Sequence, residues 1–388
     1  MKIYYIFTPC SPIHGTKEYW TPISKALEAQ AYLRDHVSDR SIPKLCTATS
    51  LGKIEWHTSG FAVEKDKDDE TFTWIRTPYT LSYFKGFIPD MSQMPDMRVN
   101  TEGTLDARFQ VVMGDDALIL GNQPQKTGTT DSPESGFSSG KIESIRAFFV
   151  SGSGLTPSLC RTPSKAVSRV HKTRIEMSLQ ADTKAFDYVE QNPDITDVVL
   201  HWQSSDDPGM ERTGHIVKQM KAFSHISSVR ICCREFCARP ELITGDLAEK
   251  ISQWCDFSIG NPFRVEIETW FLLPEDILEQ HGEIAKKLIR KGVNIYADVP
   301  LVRRVNDRPG IIVELAGKLR HAAIEFHHLY VSGLDIQEKF NGHPIDSRRI
   351  IDIASEVRKA CSGRQIPLYI RWTPEGEKDF GLRDLSGS

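Results

Sequence analysis

The 388 residues carry 48 lysines and arginines against 52 aspartates and glutamates, a formal net charge of -4, with 39% hydrophobic side chains. That balance, without a long basic run, excludes the electrostatic footprint that duplex nucleic acid demands. No stretch approaches the ~20 consecutive apolar residues of a membrane span, and the opening Met-Lys-Ile-Tyr-Tyr-Ile-Phe is too short for a signal peptide's apolar region, so a cytoplasmic protein with no nucleic-acid or membrane partner is expected.

The chain is long enough for one barrel-sized core plus an appended region. Eight scattered cysteines read as reduced thiols. The N-terminal part begins with the apolar run Ile3 to Phe7. Ile23, Ala26, Leu27, Ala31 and Leu33 then share one face of a helix expected over Pro22 to His36. A stretch rich in Thr, Ser, Gly and Pro over 126–141 cannot bury enough surface to order itself and divides the chain into an appended region, 1–125, and a barrel, 142–388.

Past that boundary, short β-rich runs alternate with amphipathic windows, the pattern of an α/β protein with a parallel sheet wound through crossover helices. Strands are expected at Ile145 to Ser151, Asp197 to Trp202, Ser228 to Cys233, Phe257 to Gly260 or Val265 to Phe271, Asn294 to Val302, Phe326 to Ser332 and Pro367 to Trp372. Helices fall around Thr183 to Gln191, Thr213 to Phe223, Leu247 to Trp254, Pro274 to Lys291, Ile311 to Leu319 and Ser347 to Ala360. Six or more such units make a partial or complete (β/α) TIM-like barrel, in which ligands gather where strands end. The candidates at those ends include Lys165, His201, Asp207, Arg234, Asp307 and Asp335.

Several segments, in order, resemble the lysine 2,3-aminomutase family of radical S-adenosylmethionine enzymes. Thr77-Pro78-Tyr79-Thr80-Leu81-Ser82 is similar to its T-P-Y-Y-L-S, and Pro193-Asp194-Ile195-Thr196-Asp197-Val198-Val199-Leu200 to its helix-to-strand passage. Val229 to Thr244 is similar without gaps to V-R-I-G-S-R-T-P-V-V-L-P-x-R-I-T, and Leu301 to Asp307 to L-L-R-G-I-N-D. The resemblance implies a barrel of the radical-SAM type.

It also implies losses. The family's C-x3-C-x2-C thiolates fall on Thr156, Cys160 and Pro163, and two of these cannot ligate iron. The glycine-rich strand end that admits the sulfonium cofactor is replaced by His201 to Asp207, and the pyridoxal phosphate lysine falls on Ser347, which cannot form a Schiff base. No iron-sulfur, SAM or PLP cofactor and no metal is therefore expected. The substrate-carboxylate arginine falls on Lys165; of the two ammonium-binding aspartates one falls on Asp307 and the other on Gly333, with Asp335 two residues on.

These readings support an amino-acid-like ligand held by Lys165, Asp307, Asp335 and Arg234, with His201 or Asp207 as acid or base. The alternative is a silent protein docking on a partner enzyme, and a third is a metalloenzyme with relocated ligands. Against that third reading, adjacent Cys232 and Cys233 point to opposite strand faces, and their spacing to Cys237 matches no common metal site. By the same alternation His327 and His328 are expected on opposite faces, with at most one in the barrel. Each charged candidate also has a bland reading, as a loop residue bonded only to its surroundings.

Overall fold

The computed structural model describes residues 5–7, 21, 23–58, 61–85, 94, 96–101, 103–110, 139–150, 160–161, 166–202, 207–260, 262–374 and 376–381. The expected boundary over 126–141 lies outside these apart from its last three residues, which open a helix.

Near the N-terminus β1 (Tyr5–Phe7), α1 (Ile23–His36), β2 (Lys44–Thr49) and β3 (Gly52–Glu55) build a three-stranded sheet with one helix. A second, antiparallel sheet joins β4 (Phe61–Lys65), β5 (Phe72–Arg76), β6 (Met97–Val99) and β7 (Leu105–Gln110), with a short helix α2 (Leu81–Phe84) capped by Thr80. The helix over 22–36 was legible from its periodicity. The sheets were not, because their strands are only three to six residues long and a short run fits several states until its neighbours in the sheet are in place.

The larger part is a mixed α/β unit on a curled ten-stranded sheet, consistent with a partial barrel. It opens with helix α3 (Ser139–Val150), where the sequence suggested a strand at Ile145 to Ser151. The run Ile-Arg-Ala-Phe-Phe-Val is apolar enough for either state. Helix wins because Ile145 and Phe149, four apart, meet on one buried face. Two short strands follow, β8 (Cys160–Arg161) and β9 (Val167–Arg169), then the parallel series. That series runs β10 (Arg174–Ser178), α4 (Thr183–Gln191), β11 (Asp197–His201), α5 (Asp207–Ala222), β12 (Ser228–Cys232), α6 (Gly245–Trp254) and β13 (Arg264–Trp270). It continues through α7 (Glu279–Arg290), β14 (Ile295–Pro300), α8 (Pro309–His321), β15 (Glu325–Ser332), α9 (Asp335–Asn341), α10 (Ser347–Ala360) and β16 (Leu368–Thr373), and β17 (Gly376–Asp379) folds back antiparallel.

Every neighbouring pair from β10 to β16 is parallel, as crossover helices require. The sheet does not close by strand pairing, since its order runs from β17 to β8. Its convex face buries Val198, Leu200, Val229, Ile231, Val265, Ile267, Ile295 and Leu329 against the helices, each stabilising by roughly 1.5–3 kcal/mol.

The concave face holds two unlike layers. Toward the strand starts lies a buried ion network. Asp39, in a 3-10 turn after α1, accepts from Arg174 on β10 and, at 2.8 Å, from Arg230 on β12. Arg40 reaches Glu266 at 2.6 Å and lies 3.4 Å over the Tyr296 ring. Arg174 also donates to Glu377 on β17 at 2.6 Å, so a side-chain bond joins the first parallel strand to the last hairpin where backbone pairing does not. Burial would raise the Asp39 carboxyl, but Arg230 and Arg174 outweigh it and hold it well below the usual range. Further ties lock the N-terminal sheet on, Arg34 to Asp379 at 2.6 Å, Arg358 to Glu55, and Lys44 to the Ile366 carbonyl.

Toward the strand ends the same face is apolar. Val199, Cys232, Trp270, Tyr330, Ile370 and Trp372 pack beneath Ile145 and Phe149 of α3. Gly333 after β15 lets this packing close. Its φ is 95°, and a Cβ there would lie 1.9 Å from the Trp372 carbonyl oxygen, so the position that the resemblance matched to an aspartate admits no side chain.

Replacing Arg230 with methionine should cost about 3 kcal/mol, because Asp39 and Glu268 each lose one of two guanidiniums in a buried site, with only Arg174 and Arg40 remaining. Urea denaturation followed by circular dichroism, compared with an exposed control such as Arg239→Met, checks this. A loss no larger than the control's would show that the network does not hold the sheet.

Candidate functional site

Strand pairing fixes which side chains meet at the strand ends. His201 closes β11 and stands in register with Cys232, the last residue of β12. Both face the concave side, whereas Cys233 enters the outer core, as the alternation of strand faces predicts. His201 Nε2 lies 2.9 Å from Glu176 Oε2, the middle residue of β10, and the imidazole also contacts the Cys232 side chain. Burial alone would make this imidazole harder to protonate. The Glu176 carboxylate and the Cys232 contact outweigh burial and push it up to about 10, so at neutral pH it is an imidazolium. The ring keeps 22% of its surface open to solvent. A carboxylate, an imidazolium and a thiol thus sit on three adjacent strands, where barrels present reactive groups.

The sequence pointed to His201, with His201 or Asp207 as acid or base; among the described residues the carboxylate beside His201 is that of Glu176. It was missed because β10 was not recognised, although Arg-Ile-Glu-Met-Ser alternates polar and apolar residues over the whole strand. Asp207 opens α5, and its side chain, like Asp206 and Lys165 as a whole, lies outside the described residues.

Arg234 begins a 3-10 turn just past β12 and is buried, and its Nε and Nη1 have no hydrogen-bond partner among the described residues. Such orphaned guanidinium donors are costly and fit an anion. Asp307 serves its own loop, where Oδ1 accepts from the Arg304 amide at 2.8 Å while Arg304 adopts φ 61°. Burial raises the Asp307 carboxyl. Beside it Asn306 binds the Leu272 and Pro300 carbonyls at 3.0 and 2.9 Å, so the asparagine of the Asn-Asp pair ties two strand ends together. Asp335 is the first residue of α9, where a carboxylate suits the helix dipole, and burial raises its carboxyl modestly. The structure brings His201 together with Glu176 and Cys232, and places Asp307 in the loop after β14 and Asp335 at the start of α9.

A second cluster was missed entirely. A register shift between Ala297 and Asp298 places a bulge in β15, so that Asp298 pairs with His328 and His327 is the extra residue. The expectation of opposite faces fails for that reason, since an inserted residue breaks the alternation. The two imidazoles stack at 3.7 Å between ring centroids, both buried. Burial lowers His328 to about 4, while burial and the neighbouring Glu268 raise Asp298 well above the usual carboxylate range.

The His201 shift has a definite sign. Its folded value lies above the unfolded 6.5, so the ion pair's contribution is fully present below pH 6.5 and disappears as pH rises through about 10. The stability difference between the protein and His201→Gln should therefore shrink between pH 7 and pH 10. Denaturation midpoints across that range check it; a constant difference would mean that no ion pair forms.

No family model matches the chain. Among curated proteins it is similar to the L-lysine 2,3-aminomutase of Clostridium subterminale, 25% identical over 200 residues, which is 52% of this chain and 46% of that protein. The glutamate 2,3-aminomutase of Clostridioides difficile is 23% identical over 193 residues, covering 50% and 43%. A putative L-lysine 2,3-aminomutase of Aquifex aeolicus is 23% identical over 203 residues, 49% of each chain. The chain spans about half the length of the curated relatives it matches, and its similarity to aminomutases is distant.

Proposed function

We propose that this chain is an aminomutase-like barrel without radical chemistry, which binds an amino acid or amino-acid-derived molecule at the strand ends and acts on it by a non-radical proton-transfer route. The observation that carries this reading is the imidazolium of His201, held by Glu176 at 2.9 Å beside Cys232.

The residues present do not fit the radical cofactors. The stretch that the resemblance matches to the cluster loop, Thr156 to Pro163, has a cysteine at one of the three positions, Cys160, where three thiolates are required. The space above the strands is occupied by Trp270, Tyr330 and Trp372 beneath Phe149. No step is therefore assigned to an iron-sulfur cluster, to SAM or to PLP.

What the chain's own groups can do follows from their charge. His201 is already protonated at neutral pH, so it acts as an acid, or as a cation that holds a carboxylate, rather than as a base. Glu176 fixes its orientation and charge. Arg234 supplies a second cation with unused donors. A cation beside a thiol, with a buried guanidinium two residues past that thiol, suits a ligand with a carboxylate.

Calorimetry against α- and β-amino acids and the matching decarboxylated amines tests the reading. Carboxylate-bearing ligands should bind, and His201→Gln and Arg234→Gln should each weaken them about tenfold, roughly 1.4 kcal/mol. No binding across the panel, or variants that bind as tightly as the parent, would refute it. Anaerobic treatment with iron and sulfide should leave the protein colourless; brown protein that cleaves SAM would overturn the exclusion of radical chemistry.

A second reading, a silent protein docking on a partner enzyme, is favoured by one observation. The aromatic layer under α3 fills the strand-end half of the concave face with side chains. A silent protein would bind none of the panel and would co-purify with a partner.

A further inference from the structure

We infer that the basal cluster on β14 and β15 is a binding site for one divalent cation of the zinc type, with Asp298, His327 and His328 as ligands. Three observations carry this, independently of the strand-end site.

The first is geometric. Metal-ligand distances of about 2.0–2.1 Å in a tetrahedral site put neighbouring donors roughly 3.3–3.4 Å apart. Asp298 Oδ1 lies 3.5 Å from His327 Nδ1 and 3.6 Å from His328 Nδ1. These separations are long for hydrogen bonds and close to the edges of a metal polyhedron. The His328 Nδ1 that faces Asp298 also lies 3.2 Å from the Tyr330 hydroxyl, a bond it would exchange for the cation. A cation needs a shift of only a few tenths of an ångström to be held here.

The second is the bulge itself. An ordinary strand would send consecutive side chains to opposite faces, and the inserted residue turns both imidazoles to one side, beside the carboxylate. Packing alone offers no reason to stack two imidazoles against a buried acid.

The third is charge. Around the pair lie five carboxylates, Asp39, Glu266, Glu268, Asp298 and Glu377, against three guanidiniums, Arg40, Arg174 and Arg230. Among the described ion pairs Asp298 is matched with the two histidines and with no guanidinium, so its oxygens face the imidazoles. Lys44 stands at the edge of the cluster and gives its ammonium to the Ile366 carbonyl. Asp39 has an oxygen within 4.8 Å of both histidine ligand atoms, but it already accepts from Arg174 and Arg230, so it serves as a nearby counter-charge. A cleft lined by Asp39, Lys44, His327 and Arg364 gives the ion a route inward. Two imidazoles and one carboxylate suit zinc or cobalt better than calcium or magnesium.

The test uses the full chain, freed of any histidine tag and stripped with a chelator. Titrated cobalt should give a ligand-field absorption that saturates at one equivalent and is displaced by zinc, and zinc should raise the melting temperature. His328→Gln and Asp298→Asn, checked for folding by circular dichroism, should lose both the absorption and the thermal shift. Absence of saturable cobalt binding in the parent protein overturns the proposal whatever the variants do, and so do folded variants that keep the absorption. Neither result touches amino-acid binding, which is read separately.

Discussion

The curled sheet depends on a set of charges buried at its base. Without a closing strand pair, the two ends of the sheet are held by Arg174, which reaches from β10 to Glu377, while Asp39 gathers Arg174 and Arg230 from the N-terminal side. Such a network costs much desolvation, and its gain comes only when every member is paired. This makes the short turn after α1 part of the barrel's interior. It also explains why an N-terminal segment without a recognisable motif packs on the barrel through Arg34, Lys44 and Glu55.

The concave face is polar at one end and apolar at the other, and the two layers do different work. Below, carboxyl and guanidinium groups form a buried network beside two histidines. Above, Trp270, Tyr330 and Trp372 under Phe149 and Ile145 fill what in an open barrel would be the mouth. Between the layers, at the edge formed by β10 to β12, His201 and Glu176 make a charged pair that solvent still reaches.

Several misreadings share one cause. A five-residue strand such as β10 alternates correctly, but its neighbours in the sheet give it meaning, and those lie far away in the chain. Glu176 therefore gained its role only through pairing with β11. The bulge at His327 is of the same kind, because a register shift is a relation between strands and leaves no mark on either one alone. The helix at Ser139–Val150 shows the opposite difficulty, a short apolar run that fits two states until a partner surface chooses.

Alone, the sequence determined the order of strands and crossover helices from Thr183 onward, the segments that resemble aminomutases, the charge balance and the placing of His201 at a strand end. Each of these is written in local periodicity or composition. Tertiary structure decided which carboxylate faces His201, that Arg234 is buried without a partner, that Gly333 admits no side chain, and that His327 and His328 face the same way. Those facts arise from contacts between residues separated by tens to hundreds of positions, and such contacts are settled by sheet register and packing rather than by the preferences of any one segment.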